Sequence, residues 1–244
     1  MNNAEAGLRS AVQFLTRLPV AGGSERGAAR SLPWYPLVGA GLGLMGLLVA
    51  WLFTGTGTPL LPASLFVATL AAATGGLHLD GLADTADAWI GGQGSRERML
   101  EIMKDSVVGP MGVAAIVVVL LIKTAAVTAL FNADAMWTFI AAPALGRAAA
   151  AALLLGLPYL RSAGLGSAVI DQMPRNYVRY ALIGTAAAVF LITPLGLMGA
   201  VGALIGLAAL FQRYLGGVSG DCIGASVELV ETAALLGACL TLSG

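Results

Sequence analysis

Long apolar runs separated by short polar turns dominate this 244-residue chain. A helix that crosses a bilayer needs about 20 predominantly apolar residues. Runs of that kind fall at roughly 33–53, 59–77, 107–131, 135–157, 177–195, 197–214 and 225–243. The fifth and sixth form one continuous apolar stretch, divided here at Pro194-Leu195-Gly196 because Pro followed by Gly favours a turn. The N-terminus has a different pattern. From Ala4 to Leu18 the apolar Leu8, Ala11, Val12, Leu15 and Leu18 recur at helical spacing, Glu5, Arg9, Gln13 and Arg17 take other faces, and Pro19 ends the series. That segment is too charged to span and is expected to lie in the interface. A Gly- and Arg-containing loop follows it from Ala21 to Ser31. Ser95 to Lys104 reads as a second surface helix, with Met99, Ile102 and Met103 toward lipid and Arg96, Glu97, Arg98, Glu101 and Lys104 toward water.

The pattern predicts an all-α polytopic membrane protein. It has about seven transmembrane helices and an N-terminal interfacial amphipathic helix, in a single integral membrane domain over residues 1–244. Composition agrees: 58% of residues are hydrophobic and 11% charged, against roughly 25% charged in soluble domains. Lys plus Arg and Asp plus Glu balance at 13 each, which gives no indication of nucleic acid as a partner. Charge placement is more informative. Arg9, Arg17, Arg26, Arg30, Arg96, Arg98, Lys104, Arg161, Arg175, Arg179 and Arg213 all fall on one side of a seven-span arrangement, whereas 54–58 and 132–134 contain no Lys or Arg. The positive-inside rule assigns the basic side, with the N-terminus, to the cytoplasm and the C-terminus to the opposite side. No cleavable signal peptide is visible, so the first span is expected to act as the insertion signal. Cys222 and Cys239 form no CxxC and fall at opposite ends of one expected helix, which argues against a disulfide or a zinc site. Gly39 and Gly43 form a small-xxx-small pattern that suits close helix packing, within one subunit or across a homo-oligomer.

The candidate chemistry sits in two places. In the first, the chain's one histidine, His78, and three carboxylates, Asp80, Asp84 and Asp87, fall within ten residues. On a helix the acids take positions i, i+4 and i+7 and project from one face, where three like charges repel unless a cation joins them. Hard divalent ions such as Mg²⁺ take oxygen ligands and share them with substrate phosphates. The pattern therefore suggests a metal and diphosphate site at a membrane surface. His78 is a candidate general base or phosphate contact. Downstream, Lys104, Asp105 and Ser106 precede Gly109 and Gly112, where an ammonium and backbone N–H groups can approach a phosphate.

The second place opens the last span. Asp221, Gly224, Glu228 and Glu231 are spaced so that every acid lies on one helix face, beside the small Gly224 and Ala225. Glu228 and Glu231 lie inside the bilayer boundary, where each needs a cation or a proton. Arg147 and Lys123 are the strongly basic residues deep in spans. Arg147 suits either neutralising the acids or gripping a phosphate, and Lys123 is placed to snorkel toward the far side.

Several stretches together resemble the cobalamin-5′-phosphate synthase family, also called adenosylcobinamide-GDP ribazoletransferases. They are His78-Leu79-Asp80-Gly81-Leu82-Ala83-Asp84-Thr85-Ala86-Asp87, Met103-Lys104-Asp105-Ser106, and Gly217-Val218-Ser219-Gly220-Asp221 with Glu228, together with 14–19 and 36–39. Val107-Val108-Gly109-Pro110 departs from the more polar, proline-free rhythm expected at that point. The resemblance implies an enzyme of the bacterial or archaeal inner membrane. It joins adenosylcobinamide-GDP to α-ribazole or α-ribazole 5′-phosphate, releases GMP and requires Mg²⁺. Residues 78–106 and 216–231 then form the active site, facing the cytoplasm. Metal ligation is expected of Asp80, Asp84, Asp87, Asp221 and Glu228, catalytic roles of Asp84, Asp87, Glu228 and His78, and phosphate contacts of Lys104, Asp105, Ser106, Arg147 and Glu231. Two other classes fit two acidic stripes in a membrane protein. One is a prenyl or lipid diphosphate transferase; the other is a cation-coupled transporter, which would typically show an internal repeat and midplane acids.

Overall fold

The computed structural model describes residues 3–20, 25–105, 107–133, 135–160 and 172–243. Its helices, in chain order, are α1 (Asn3–Leu15), α2 (Glu25–Ala28), α3 (Tyr35–Trp51), α4 (Leu60–Thr74), α5 (Leu77–Gly91), α6 (Arg96–Ile102), α7 (Pro110–Asn132), α8 (Thr138–Gly156), α9 (Arg175–Ile192), α10 (Pro194–Tyr214) and α11 (Gly220–Cys239). Among the described residues there is no β-strand, only an isolated bridge between Tyr159 and Val218. The all-α membrane architecture is as expected.

Not every expected span is a single long apolar helix. Among the described residues, five helices are long and apolar enough to cross a membrane, or six if the bent pair α4–α5 counts as one span. α4 has 15 residues, about 22 Å at 1.5 Å per residue, which falls short of a hydrocarbon core of about 30 Å. Instead of continuing, the chain turns by 89° into α5. Two successive glycines in the left-handed region, Gly75 at φ 61° and Gly76 at φ 71°, make that corner, a conformation costly for any residue with a Cβ. The backbone N–H of Arg17 donates to the carbonyl of Ala73 at 2.8 Å, so the chain after α1 closes the end of α4. α9 occupies the expected fifth span, but Arg175, Asn176 and Arg179 dilute its first turns and it is not among the helices apolar enough to cross. The division of the long run is where Pro194 predicted it: Thr193 caps α10, accepting from the Gly196 N–H at 3.2 Å.

α8 and α11 are the central helices, and most of their side chains are buried. α11 packs on α5, α7, α8 and α10, while α3 packs on α8 and α4. Gly39 and Gly43 face the backbone of α8 at Pro143 and Phe139, so the small-xxx-small pattern is used inside the subunit. Leucines, valines and isoleucines of α7, α9 and α10, such as Val117, Leu121, Ile183, Leu191 and Ile205, point outward, as a lipid-facing belt requires. The surface helix α6 differs from its expected pose. Met99 and Met103 are buried against Ala88, Leu153, Phe211 and Cys222 instead of facing lipid. Arg96 Nε donates to the carbonyl of Leu215 at 2.7 Å and so caps the end of α10. α6 therefore docks on protein, because the end of α10 and the start of α11 offer it an apolar seat and an open carbonyl.

Candidate active site

Two helix starts build the site. α5 begins at the Gly75–Gly76 corner, which delivers His78 and Asp80 within its first turn. α11 begins five residues before the expected span, at Gly220, with Ser219 as its cap: the Ser219 hydroxyl accepts from Cys222 N at 3.2 Å and donates to Asp221 Oδ2 at 3.2 Å. A short backbone strap fixes this start to the end of α8, with Val218 N donating to Pro158 O at 2.8 Å and Leu160 N to Val218 O at 2.9 Å. Where α5 and α11 cross, Gly81 meets Gly224. A Cβ on Gly81 would lie 2.7 Å from the Asp221 carbonyl oxygen and 3.2 Å from the Gly224 Cα. With no side chain between them, the two helices bring their acidic starts together.

The outcome is a cavity of about 350 Å³ lined by His78 and Asp80 from α5, Gly220 and Asp221 from α11, Tyr35, Tyr159 and the α1 residues Phe14 and Leu15. Acids from two distant parts of the chain thus share one wall. His78 is 3% exposed, and its Nδ1 has no hydrogen-bond partner. A buried, unmatched imidazole nitrogen is costly in a finished core. Asp80 is exposed and Asp84, one turn further along α5, is half-buried. Tyr35 and Tyr159 escaped the sequence reading, because a tyrosine beside a proline at a helix end has no pattern of its own.

The five acids expected to bind metal divide among different environments. Asp87 accepts from the Gly109 N–H at 2.7 Å and from the Gly112 N–H at 2.9 Å. The backbone donors foreseen as a phosphate cradle are thereby occupied by a side chain of the protein itself. Lys104 and Asp105 are exposed, and Asp105 Oδ1 accepts from Val107 N at 3.1 Å. Ser106 lies outside the described residues.

Glu228 and Glu231 lie deeper. Lys123 Nζ donates to Glu228 Oε2 at 2.6 Å and Glu231 Oε1 at 2.9 Å, and Arg147 Nη1 donates to Glu231 Oε2 at 2.6 Å. Lys123 turns to these acids instead of snorkelling, and Arg147 and Glu231, expected at a phosphate, pair with each other. All four are buried around a void of about 10 Å³, which has room for about one water molecule and none for a phosphate. Two cations balance two anions, which answers the need of acids at this depth. Glu228, expected as both ligand and catalyst, is held in this cluster. Among the described residues no three His, Cys, Asp or Glu side chains form a group that could hold a metal ion by themselves.

Residues 7–239 match the protein family described as Cobalamin-5-phosphate synthase. The adenosylcobinamide-GDP ribazoletransferase of Pseudomonas syringae pv. syringae is 46% identical over 236 residues, covering 93% of this chain and 96% of that protein. The protein of the same name from Ectopseudomonas mendocina is 43% identical over 240 residues, covering 96% and 98%, and that from Stutzerimonas stutzeri is 44% identical over 237, covering 94% and 96%. No solved structure matches the chain. With its acidic helix starts, its Gly81–Gly224 crossing and nearly its whole length inside the match, this chain belongs to the cobalamin-5-phosphate synthase family.

Proposed function

We propose that the protein transfers the adenosylcobinamide phosphate moiety of adenosylcobinamide-GDP to α-ribazole or α-ribazole 5′-phosphate, releasing GMP, in the last steps of cobalamin biosynthesis. The observation that carries the reading is the cavity shared by Asp80 of α5 and Asp221 of α11, in a chain whose relatives bear that activity in their names. The basic residues at one set of helix ends support an inner-membrane site that opens to the cytoplasm.

In this reading a ribose hydroxyl of the ribazole attacks the phosphorus on the cobinamide side of the diphosphate. The new ester bond forms as the bond from that phosphorus to the bridging oxygen breaks, and GMP leaves with the bridging oxygen. The hydroxyl proton passes to a carboxylate at the cavity wall, with His78 in the lining beside Asp80. Asp80 and Asp221, which both line the cavity, are the oxygen donors for Mg²⁺. This ion commonly takes one or two protein carboxylates and fills its shell with substrate phosphate oxygens and water, so two cavity acids fit it. When bound, it supplies positive charge against the charge that develops on the departing phosphate. Lys104, exposed beside the α6 end, is a further phosphate contact. The cobinamide and nucleotide groups are larger than the cavity, so the cavity takes the diphosphate while the bulky ends project to the surface.

Purified protein in lipid nanodiscs, given adenosylcobinamide-GDP, α-ribazole and Mg²⁺, should release GMP. Absence of GMP from intact substrate, or pyrophosphate release from a prenyl diphosphate in its place, overturns the assignment.

A further inference from the structure

We infer that Asp87 is a positioning residue. It ties the start of α7, and with it the connection that leads there from Lys104, to the helix that carries Asp80 and Asp84, and it is not a ligand of the metal. Only the kinetic half of this inference rests on the proposed transfer reaction.

Both carboxylate oxygens of Asp87 are occupied: Oδ2 accepts from Gly109 N at 2.7 Å and Oδ1 from Gly112 N at 2.9 Å. Gly109 is the residue before Pro110, the first residue of α7, and Gly112 lies in its first turn. The first N–H groups of a helix have no partner inside it, and at a membrane boundary water satisfies them poorly. Pro110 removes one such donor, and Asp87 satisfies two more with a charge that also favours the positive end of the helix. The glycines make the approach feasible. A Cβ at Gly109 would lie 2.5 Å from Asp87 Oδ1, and one at Gly112 would lie 2.5 Å from Oδ2.

Distance separates Asp87 from the cavity. Asp87 is seven residues beyond Asp80 on α5, an axial offset of about 10 Å, and both side chains lean the same way along the helix. A Mg²⁺ ion binds its oxygens at about 2 Å, so an ion at Asp80 is out of reach of Asp87, which does not line the cavity. What Asp87 does control is where the loop ends. The loop leaves α6, which is fixed to α10 through Arg96, and enters α7 at the Asp87 anchor.

The test compares wild-type protein with Asp87→Ala and Asp87→Asn, full length in lipid nanodiscs. First, without metal or substrate, amide hydrogen exchange over residues 107–114 should be about tenfold or more faster in Asp87→Ala. In Asp87→Asn, which keeps one carbonyl acceptor, it should be intermediate. Second, Asp87→Ala should raise KM for adenosylcobinamide-GDP more than it lowers kcat and leave the Mg²⁺ half-saturation concentration unchanged, with Asp87→Asn partly restoring KM. Wild-type exchange in both variants overturns the anchor. A tenfold rise in the Mg²⁺ half-saturation of Asp87→Asn with amide protection retained makes Asp87 a ligand and overturns it too. If Asp87→Ala does not fold, Asp87→Asn carries both comparisons. A wild-type protein that releases no GMP defeats the transferase reading, and the exchange result then decides the anchor alone.

Discussion

The last helix carries two kinds of acid, and they serve opposite ends. Asp221 sits in its first turn and lines an open cavity with Asp80. Glu231, ten residues on and 1% exposed, is locked between Lys123 and Arg147. The residue types and the helical spacing are alike; depth and neighbours differ. At the mouth, an acid borders space where a phosphate or a cation can enter. About 15 Å further along the helix axis, ionisation requires cations already built in, and α7 and α8 each provide one. An acidic stripe on a membrane helix is thus part site and part brace.

That division can be broken from the deep end first. Glu231→Gln leaves two buried cations with one anion and should cost about 3–5 kcal/mol of stability, read as a fall in the thermal midpoint in nanodiscs. GMP release per folded molecule should stay near wild type. A Lys123→Met, Glu228→Leu double variant removes one charge of each sign and should lose far less stability than either single change. At the mouth the signs reverse. Asp80→Asn and Asp221→Asn should lower GMP release roughly a hundredfold while leaving stability within about 1 kcal/mol of wild type. Loss of folding in those variants, or of activity alone in Glu231→Gln, would erase the distinction.

Between these lies Gly81→Ala, which pushes a methyl group into the α11 backbone where the two acidic starts meet. Overpacking of that kind costs about 1–3 kcal/mol, more than the helix propensity that Ala returns. Activity should fall along with stability, because the crossing sets the spacing of Asp80 and Asp221. The smallest effect is expected from Ser219→Ala, the loss of one cap at the start of α11, at about 1 kcal/mol in chemical or thermal unfolding.

Much of the cavity's polar lining is legible in the sequence. His78, Asp80 and Asp221 were picked out because a carboxylate or an imidazole in so apolar a chain is conspicuous and helical spacing tells which residues share a face. What they face was not legible. Lys123 looked like a snorkelling lysine because a single helix offers it nothing else; its partners are 105 and 108 residues away in the chain. Met99 and Met103 looked lipid-facing because an apolar stripe has the same pattern whether lipid or protein covers it. The α4–α5 corner lies at the end of an apolar run, and its angle is not legible there, since hydropathy reports where a run stops and the bend comes from two backbone torsions.

The sequence by itself determined that this chain lives in a membrane as helices, where most of the long ones begin to within a few residues, and which stretches carry the candidate chemistry. Those properties follow from local composition and from the periodicity of the backbone. Only the tertiary structure decided that Asp80 and Asp221 share a cavity, that Asp87 holds the start of α7, and that Glu228 and Glu231 are neutralised from within. The fate of a charge in a low-dielectric interior depends on what lies within a few ångströms of it, and those neighbours come from parts of the chain that local pattern does not connect.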